Sequence, residues 1–140
     1  MESWPAVVVG MPCAAGRPVR LPLPPVRRHS FVSADDVAAL AAAMAGHEAA
    51  MGRRFDVGGP EAMTWADVAR VYGEILERDV PIEVVGLDGD LAPMSPMMVT
   101  LLAGLEAFDS IIDPAPLAAA FGVVPTRLQE VVRRAFHVST

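Results

Sequence analysis

The sequence predicts a small α/β domain in which a few short strands, mixed in direction, pack with about four helices. Two capping patterns, each followed by apolar residues at helical spacing, predict amphipathic helices after residues 33 and 64. Short runs rich in Val and Ile, bounded by Pro and Gly, predict the strands. Because 140 residues that are 53% hydrophobic suffice for one core, we expect a single domain over residues 1–140.

The proline-rich N-terminal segment contains two short apolar runs, at residues 6–9 and 19–21. Proline deprives a β-ladder of a backbone donor, so we predict short or edge strands at both runs. A third strand is predicted at residues 29–32, directly before the first helix.

Helices are predicted where a capping residue precedes apolar residues spaced three or four apart. Ser33 with Asp36 opens a helix that runs to about residue 46, and Thr64 with Asp67 opens a second one. Three further helices are expected, over about residues 95–108, 116–121 and 126–136.

Two strands and one cap complete this order of elements. A strand is predicted at residues 54–57, where a Gly-Gly-Pro sequence stops it. Another is predicted at residues 80–85, where Pro81 favours a sheet edge or the start of a strand. Thr126 with Gln129 is predicted to cap the last helix.

Composition limits the classes of function. A formal net charge of −6 opposes binding to nucleic acid or to an anionic membrane surface. No apolar run reaches the ~20 residues that cross a bilayer, and the N-terminus lacks the features of a secretory signal. Cys13 is the only cysteine, so we expect a soluble, cytoplasmic protein without an internal disulfide. Cys13, His47 and His137 lack metal-ligand spacing, so no metal is predicted.

Four segments together resemble the C-terminal half of NmrA-like short-chain dehydrogenases/reductases. In order they are HSFVSADDVAALAAAM, GRRFDVGGPEAMTWADVARVYGEIL, RDVPIEVV and FGVVPTRLQEVVRRAF. The first two are similar to the family's strand–helix units, the third to the strand that follows, and the fourth to the terminal segment and helix. In complete enzymes of this family that half mainly builds the substrate pocket. The resemblance therefore implies a substrate domain.

The dinucleotide-binding features of that family are absent from the sequence. Gly10 and Gly16 lie too far apart for the pyrophosphate-binding turn, and Tyr72 is followed by Leu76 where a Tyr-x-x-x-Lys pair needs lysine. The chain contains no lysine at all. We therefore expect no cofactor and interpret the chain as a truncated domain or a fragment. The surface left by the missing half would need a cover, and a homodimer is the simplest one.

A retained substrate pocket without a redox cofactor favours acid–base chemistry. We predict a cofactor-independent cyclase, isomerase or hydrolase that acts on a hydrophobic carbonyl compound, such as a polyketide, in specialised metabolism. One alternative is the substrate-binding subunit of a split NAD(P)-dependent reductase. Another is a non-catalytic ligand-binding or regulatory protein.

The predicted catalytic pair is Asp35, as general base, with His29. His29 and Phe31 face the same side of an extended strand, and Asp35 at the following helix start would lie at the rim of the same pocket. The structural alternatives are that Asp35 only stabilises the helix dipole and that His29 is a surface residue. Glu83 and Asp109 are held in reserve as catalytic candidates.

The predicted substrate contacts are apolar. Met94, Met97 and Met98 form an adaptable surface that suits a flexible hydrophobic ligand or a dimer interface. Trp65 and Tyr72 lie seven residues apart on one helix face and, with Phe31, would line the same pocket. Ordinary core packing is the alternative for all of these side chains.

Overall fold

The computed structural model describes residues 4–137 and has an α/β architecture, which confirms the predicted fold class. Its helices and strands are α1 (Met11–Ala14), β1 (Val19–Leu21), α2 (Ala34–Met44), α3 (Trp65–Leu76), β2 (Ile82–Val84), α4 (Pro96–Leu105), α5 (Ala115–Phe121) and α6 (Leu128–His137). A π-helical turn, Ala6–Gly10, leads into α1, and a 3-10 turn, Glu48–Ala50, follows α2. Within the described residues no helix is long and apolar enough to span a membrane.

The two strands form a parallel sheet in which Val19 lies opposite Ile82 and Leu21 opposite Val84. The strand predicted at residues 19–21 is confirmed, and the one predicted at residues 80–85 is present but shorter. Both directions occur among the described residues, because these two strands are parallel and the isolated bridge between His29 and Met63 is antiparallel. A parallel pair needs a long crossover, and α2 and α3 lie in that crossover here.

The strand predicted at residues 6–9 is wrong, because this run is helical. Val8 and Val9 are fully buried, and the turn packs against α3. A Cβ atom on Gly10 would lie 2.8 Å from Cε1 of Tyr72, so the turn approaches α3 closely. Burial against a helix outweighs the strand preference of valine, which is itself largely a preference for a packed environment.

The strands predicted at residues 29–32 and 54–57 are also wrong as regular strands. His29 forms two isolated bridges: it exchanges backbone hydrogen bonds of 2.9 and 3.0 Å with Met63, and it pairs with Ser110 on its other side. Residues 54–57 adopt no regular structure. A Cβ atom on Gly59 would lie 1.7 Å from the carbonyl oxygen of Phe31, so the two segments touch backbone to backbone at this point.

The predicted caps of α2 and α3 are confirmed. Oγ of Ser33 accepts a hydrogen bond from the Asp36 amide at 3.0 Å, and Thr64 with Asp67 forms a reciprocal capping box. The short helix α5 ends, as predicted, at Gly122, which has a φ of 71°. Helices α2 and α4 end earlier than predicted, at residues 44 and 105.

The cap predicted for the last helix is wrong. The amide and the hydroxyl of Thr126 both donate to the carboxylate of Asp36, at 2.7 and 2.9 Å. Helix α6 begins two residues later, at Leu128. A residue from the first turn of α2 therefore holds the chain where it enters α6.

The core lies where α3 packs against α6, α1 and the π-helical turn. Trp65 and Val68 on α3 and Val132 on α6 are buried almost completely. The inward-facing residues of β1 are Val19 and Leu21, and they belong to the same core cluster. The loop from β2 to α4 lies beside this core, and it forms part of the cavity described next.

Candidate functional site

A cavity of about 390 Å³ is formed by the N-terminal helical segment, β1 with the loop before it, and the loop that leads into α4. Its volume falls in the range of sites that bind small molecules, about 300–1,000 Å³. We call it the methionine cavity. It is lined by Val7, Met11, Pro12, Arg17, Pro18, Arg20, Leu91, Ala92, Pro93, Met94 and Met98.

Local structure places two of the predicted methionines in this cavity. The Met94 amide donates to the Leu91 carbonyl at 2.9 Å and closes a turn, and Leu91 is itself buried. Oγ of Ser95 then accepts from the Met98 amide at 3.3 Å and caps α4. Met94, just before the helix, and Met98, in its first turn, both line the cavity.

The polar part of the lining consists of two arginines with different environments. Nε of Arg20 lies 3.1 Å from Oε2 of Glu83, and Nη1 lies 2.9 Å from Oδ2 of Asp90. The hydrogen bond to Glu83 contributes most to raising the pKa of Arg20. Arg17 forms no ion pair with any other residue from 4 to 136. The cavity thus combines a mainly apolar wall with one cation that has no acidic partner among the side chains of residues 4–136.

The predicted catalytic pair lies outside this cavity. His29 is only 3% exposed, and neither of its ring nitrogens has a hydrogen-bond partner among the described residues. Asp35 is exposed on the first turn of α2, and no hydrogen bond joins it to His29 within the described chain. The alternative that His29 is a surface residue is wrong. The catalytic role of the pair stays a prediction.

Burial makes His29 a neutral imidazole at pH 7. Desolvation lowers its pKa below the ordinary value of 6.5, and the carboxylates of Glu106 and Asp109 oppose this shift only in part. The ring of Phe31 lies beside it, with centroids 5.8 Å apart. Its surroundings therefore favour the uncharged form.

We expect this histidine to make the protein less stable in mild acid. Because the pKa of His29 is lower in the folded than in the unfolded chain, the unfolded chain binds a proton more readily below pH 6.5. The free energy of unfolding should then fall by up to about 1.4 kcal/mol per pH unit, until the pH passes the pKa of the folded state. Urea unfolding at pH 7.5 and 5.5 measures this loss. His29→Phe should reduce it, and equal losses in the variant and the wild type would contradict the assignment.

The two reserve candidates have structural partners. Glu83 is exposed, as strand alternation predicts, and pairs with Arg20. Oδ1 of Asp109 accepts a hydrogen bond from the Arg28 amide at 3.0 Å and holds the segment before His29. Neither carboxylate lines the methionine cavity.

The predicted aromatic contacts lie in or beside the core. Trp65 has no exposed surface, its ring lies 4.8 Å from that of Phe31, and Tyr72 is only 5% exposed. Burial raises the pKa of Tyr72 to about 12, so its phenol is protonated at neutral pH. Met97 is 71% exposed and lies outside the cavity. Of the six predicted substrate contacts, the cavity brings together Met94 and Met98.

Arg17 and Met11 are among the lining residues that sequence reasoning missed. Both lie between the two short strands that were predicted at residues 6–9 and 19–21, and the helix α1 in this stretch places Met11 at the cavity. An arginine between a glycine and a proline was the one indication in the sequence. Its position at a cavity depends on the loop before α4, which is distant in the sequence.

The described residues do not fit a dinucleotide. The glycines of the Gly58-Gly59 pair are used for internal packing, because a Cβ atom on Gly58 would lie 2.7 Å from Cβ of Ile112 and one on Gly59 would meet Phe31. Strand β1 continues into Pro22 rather than into a helix whose N-terminus could receive a pyrophosphate. Nor do the described residues include three His, Cys, Asp or Glu side chains placed to hold a metal ion.

Comparison with solved structures identifies a similar fold. A new type of NADPH-dependent quinone oxidoreductase, QOR2 from Escherichia coli, matches with a TM-score of 0.75 and 16% sequence identity, over 96% of this chain and 53% of that one. Its complex with NADPH matches with a TM-score of 0.72 and 18% identity, over 96% and 52% of the two chains. The fold is that of part of this enzyme.

The chain spans about half the length of the quinone oxidoreductase, and its small α/β architecture matches the C-terminal part of that fold. The prediction of a fold like the C-terminal half of a reductase is confirmed to this extent. No protein-family model and no curated protein matches the chain. The similarity to the oxidoreductase therefore concerns the fold alone.

Proposed function

We propose that this chain binds a mainly apolar carbonyl compound in the methionine cavity, as the substrate domain of a reductase-like enzyme whose dinucleotide is held by a separate unit. The observation that carries the proposal is the cavity itself, with its apolar lining and a polar end formed by arginine. The fold likeness supports it, because the similar enzyme is a quinone oxidoreductase and a quinone is an apolar carbonyl compound.

The lining residues suit binding and orientation. Met11, Met94 and Met98 have flexible, polarisable side chains that adapt to a ring or a chain, and the neighbouring prolines supply rigid apolar surface. A guanidinium group at the polar end can donate a hydrogen bond to a carbonyl oxygen. This contact would fix which end of the compound enters the cavity. Since the described residues do not fit a dinucleotide, we assign no reduction step to them.

An acid–base enzyme would need a titratable group beside its substrate. The ionisable side chains that line the cavity are Arg17 and Arg20, and a guanidinium stays protonated near neutral pH, so it cannot accept a proton from a substrate. His29 and Asp35 lie elsewhere. The lining thus favours substrate binding over cyclase or isomerase chemistry at this cavity. The cyclase activity, the polyketide substrate and the homodimer stay predictions.

Titration calorimetry with 2-methyl-1,4-naphthoquinone, a neutral apolar carbonyl compound, tests the proposed function. We expect the wild type to bind it and Met98→Glu to lower the affinity at least tenfold, because a carboxylate in the cavity would lose water on binding. Met97→Glu is the matched control: it adds the same charge at the neighbouring residue, which is 71% exposed, and should leave the affinity unchanged. No binding by the wild type, or equal losses in both variants, would refute the proposal. Circular dichroism confirms that both variants are folded.

A further inference from the structure

We infer that the methionine cavity selects compounds that carry an acidic group, and that Arg17 is the residue that pairs with this group. The inference rests on the proposed function and goes further, because it names the charge of the substrate and the side chain that recognises it. Its basis is the difference between the two arginines of the lining.

Arg20 already has its partners. Its guanidinium binds Glu83 and Asp90 at 3.1 and 2.9 Å, on β2 and in the loop before α4. Both of these neighbouring carboxylates therefore face Arg20. An anion bound at Arg20 would compete with them, so this residue is poorly suited to hold a charged ligand.

Arg17 is held by its backbone, whereas its side chain is available. Its amide donates to the carbonyl of Pro12 at 2.9 Å, and the following Pro18 restricts the chain further. Its side chain is exposed and forms neither an ion pair nor a hydrogen bond with another residue from 4 to 136. A fixed backbone with an unpaired guanidinium at the edge of a cavity is a suitable arrangement for binding an anion.

The combination defines one class of ligand. The apolar wall accommodates a ring system or a short chain, and about 390 Å³ is near the lower end of the volumes of small-molecule sites. A guanidinium matches a carboxylate geometrically, through two parallel hydrogen bonds. The favoured ligand is therefore a compact apolar carbonyl compound with a carboxylate at the end that reaches Arg17.

A matched pair of probes tests this selection by calorimetry: 1-naphthoate, which is an anion at pH 7.5, and 1-naphthamide, which has a similar size but no charge. The wild type should bind the naphthoate about tenfold more tightly, as expected for a charge-assisted contact. Arg17→Gln should abolish this preference, because it should weaken naphthoate binding much more than naphthamide binding. Arg53→Gln, which changes an exposed arginine outside the cavity, should keep the preference. Since Arg17 is exposed, 0.5 M salt should weaken naphthoate binding more than naphthamide binding.

The possible failures are distinguishable. Equal affinities of the wild type for the two naphthalene compounds would refute charge selection, while Met98-dependent quinone binding would leave the proposed function in place. A preference that survives Arg17→Gln would refute the role of Arg17. If none of the three compounds binds, the proposed function fails and the inference fails with it.

Discussion

Replacing Trp65 with alanine should lower the free energy of unfolding by about 3–5 kcal/mol. Trp65 has no exposed surface, it begins α3, and its ring packs against that of Phe31 with centroids 4.8 Å apart. The substitution removes this packing and leaves a cavity that the surrounding backbone cannot close completely.

Denaturant unfolding of the variant measures the loss, and Trp4→Ala is its control. Trp4 is 37% exposed, so its removal should cost much less than that of Trp65. Equal effects of the two substitutions would show that the core does not centre on α3.

Gly59→Ala is expected to cost on the order of 3 kcal/mol, although it adds a single methyl group. The new Cβ atom would lie 1.7 Å from the carbonyl oxygen of Phe31, and a backbone atom cannot move aside as the end of a side chain can. The segment after residue 57 would have to separate from the segment that contains His29.

The control for this substitution is Gly104→Ala. Gly104 lies within α4 and has open space around it, so alanine there should raise stability by up to about 1 kcal/mol through its better helix propensity. The same substitution is thus expected to lower the free energy of unfolding at Gly59 and to raise it at Gly104. Thermal unfolding of both variants measures the difference, and destabilisation at Gly104 as large as at Gly59 would contradict the described contacts.

The local features of the fold could be predicted from the sequence. The caps at Ser33 and Thr64 depend on residues three positions apart, and the end of α5 depends on the ability of Gly122 to adopt a positive φ. Each is decided within one turn of helix. These predictions needed no knowledge of distant contacts.

Features of the fold that depend on contacts between distant parts of the chain were not predicted correctly from the sequence. The valines of residues 6–9 are helical because they pack against α3, and Thr126 bonds to Asp36 rather than to its own helix. His29 was placed by strand alternation, but it pairs through isolated bridges and is buried.

The candidate site was predicted in part. Met94 and Met98 could be identified because clustered methionines suit an adaptable apolar surface. The role of Arg17 could not be predicted in this way. Glu83 and Asp90 bind Arg20 rather than Arg17, and both carboxylates lie more than sixty residues away from Arg20 in the sequence. Sequence spacing contains no information on that pairing.

The link between Asp36 and Thr126 has a kinetic consequence. The two residues are 90 positions apart, and the partners in the β1–β2 sheet are 63 apart, so both contacts close long loops. The entropy of loop closure must be overcome before such contacts stabilise the chain, and this slows folding. Helices α2 and α3 have local caps and can form early, whereas these long-range contacts must wait for the ends of the loops to meet. Although most of its regular structure is helical, the chain should fold at the rate of a mixed α/β domain.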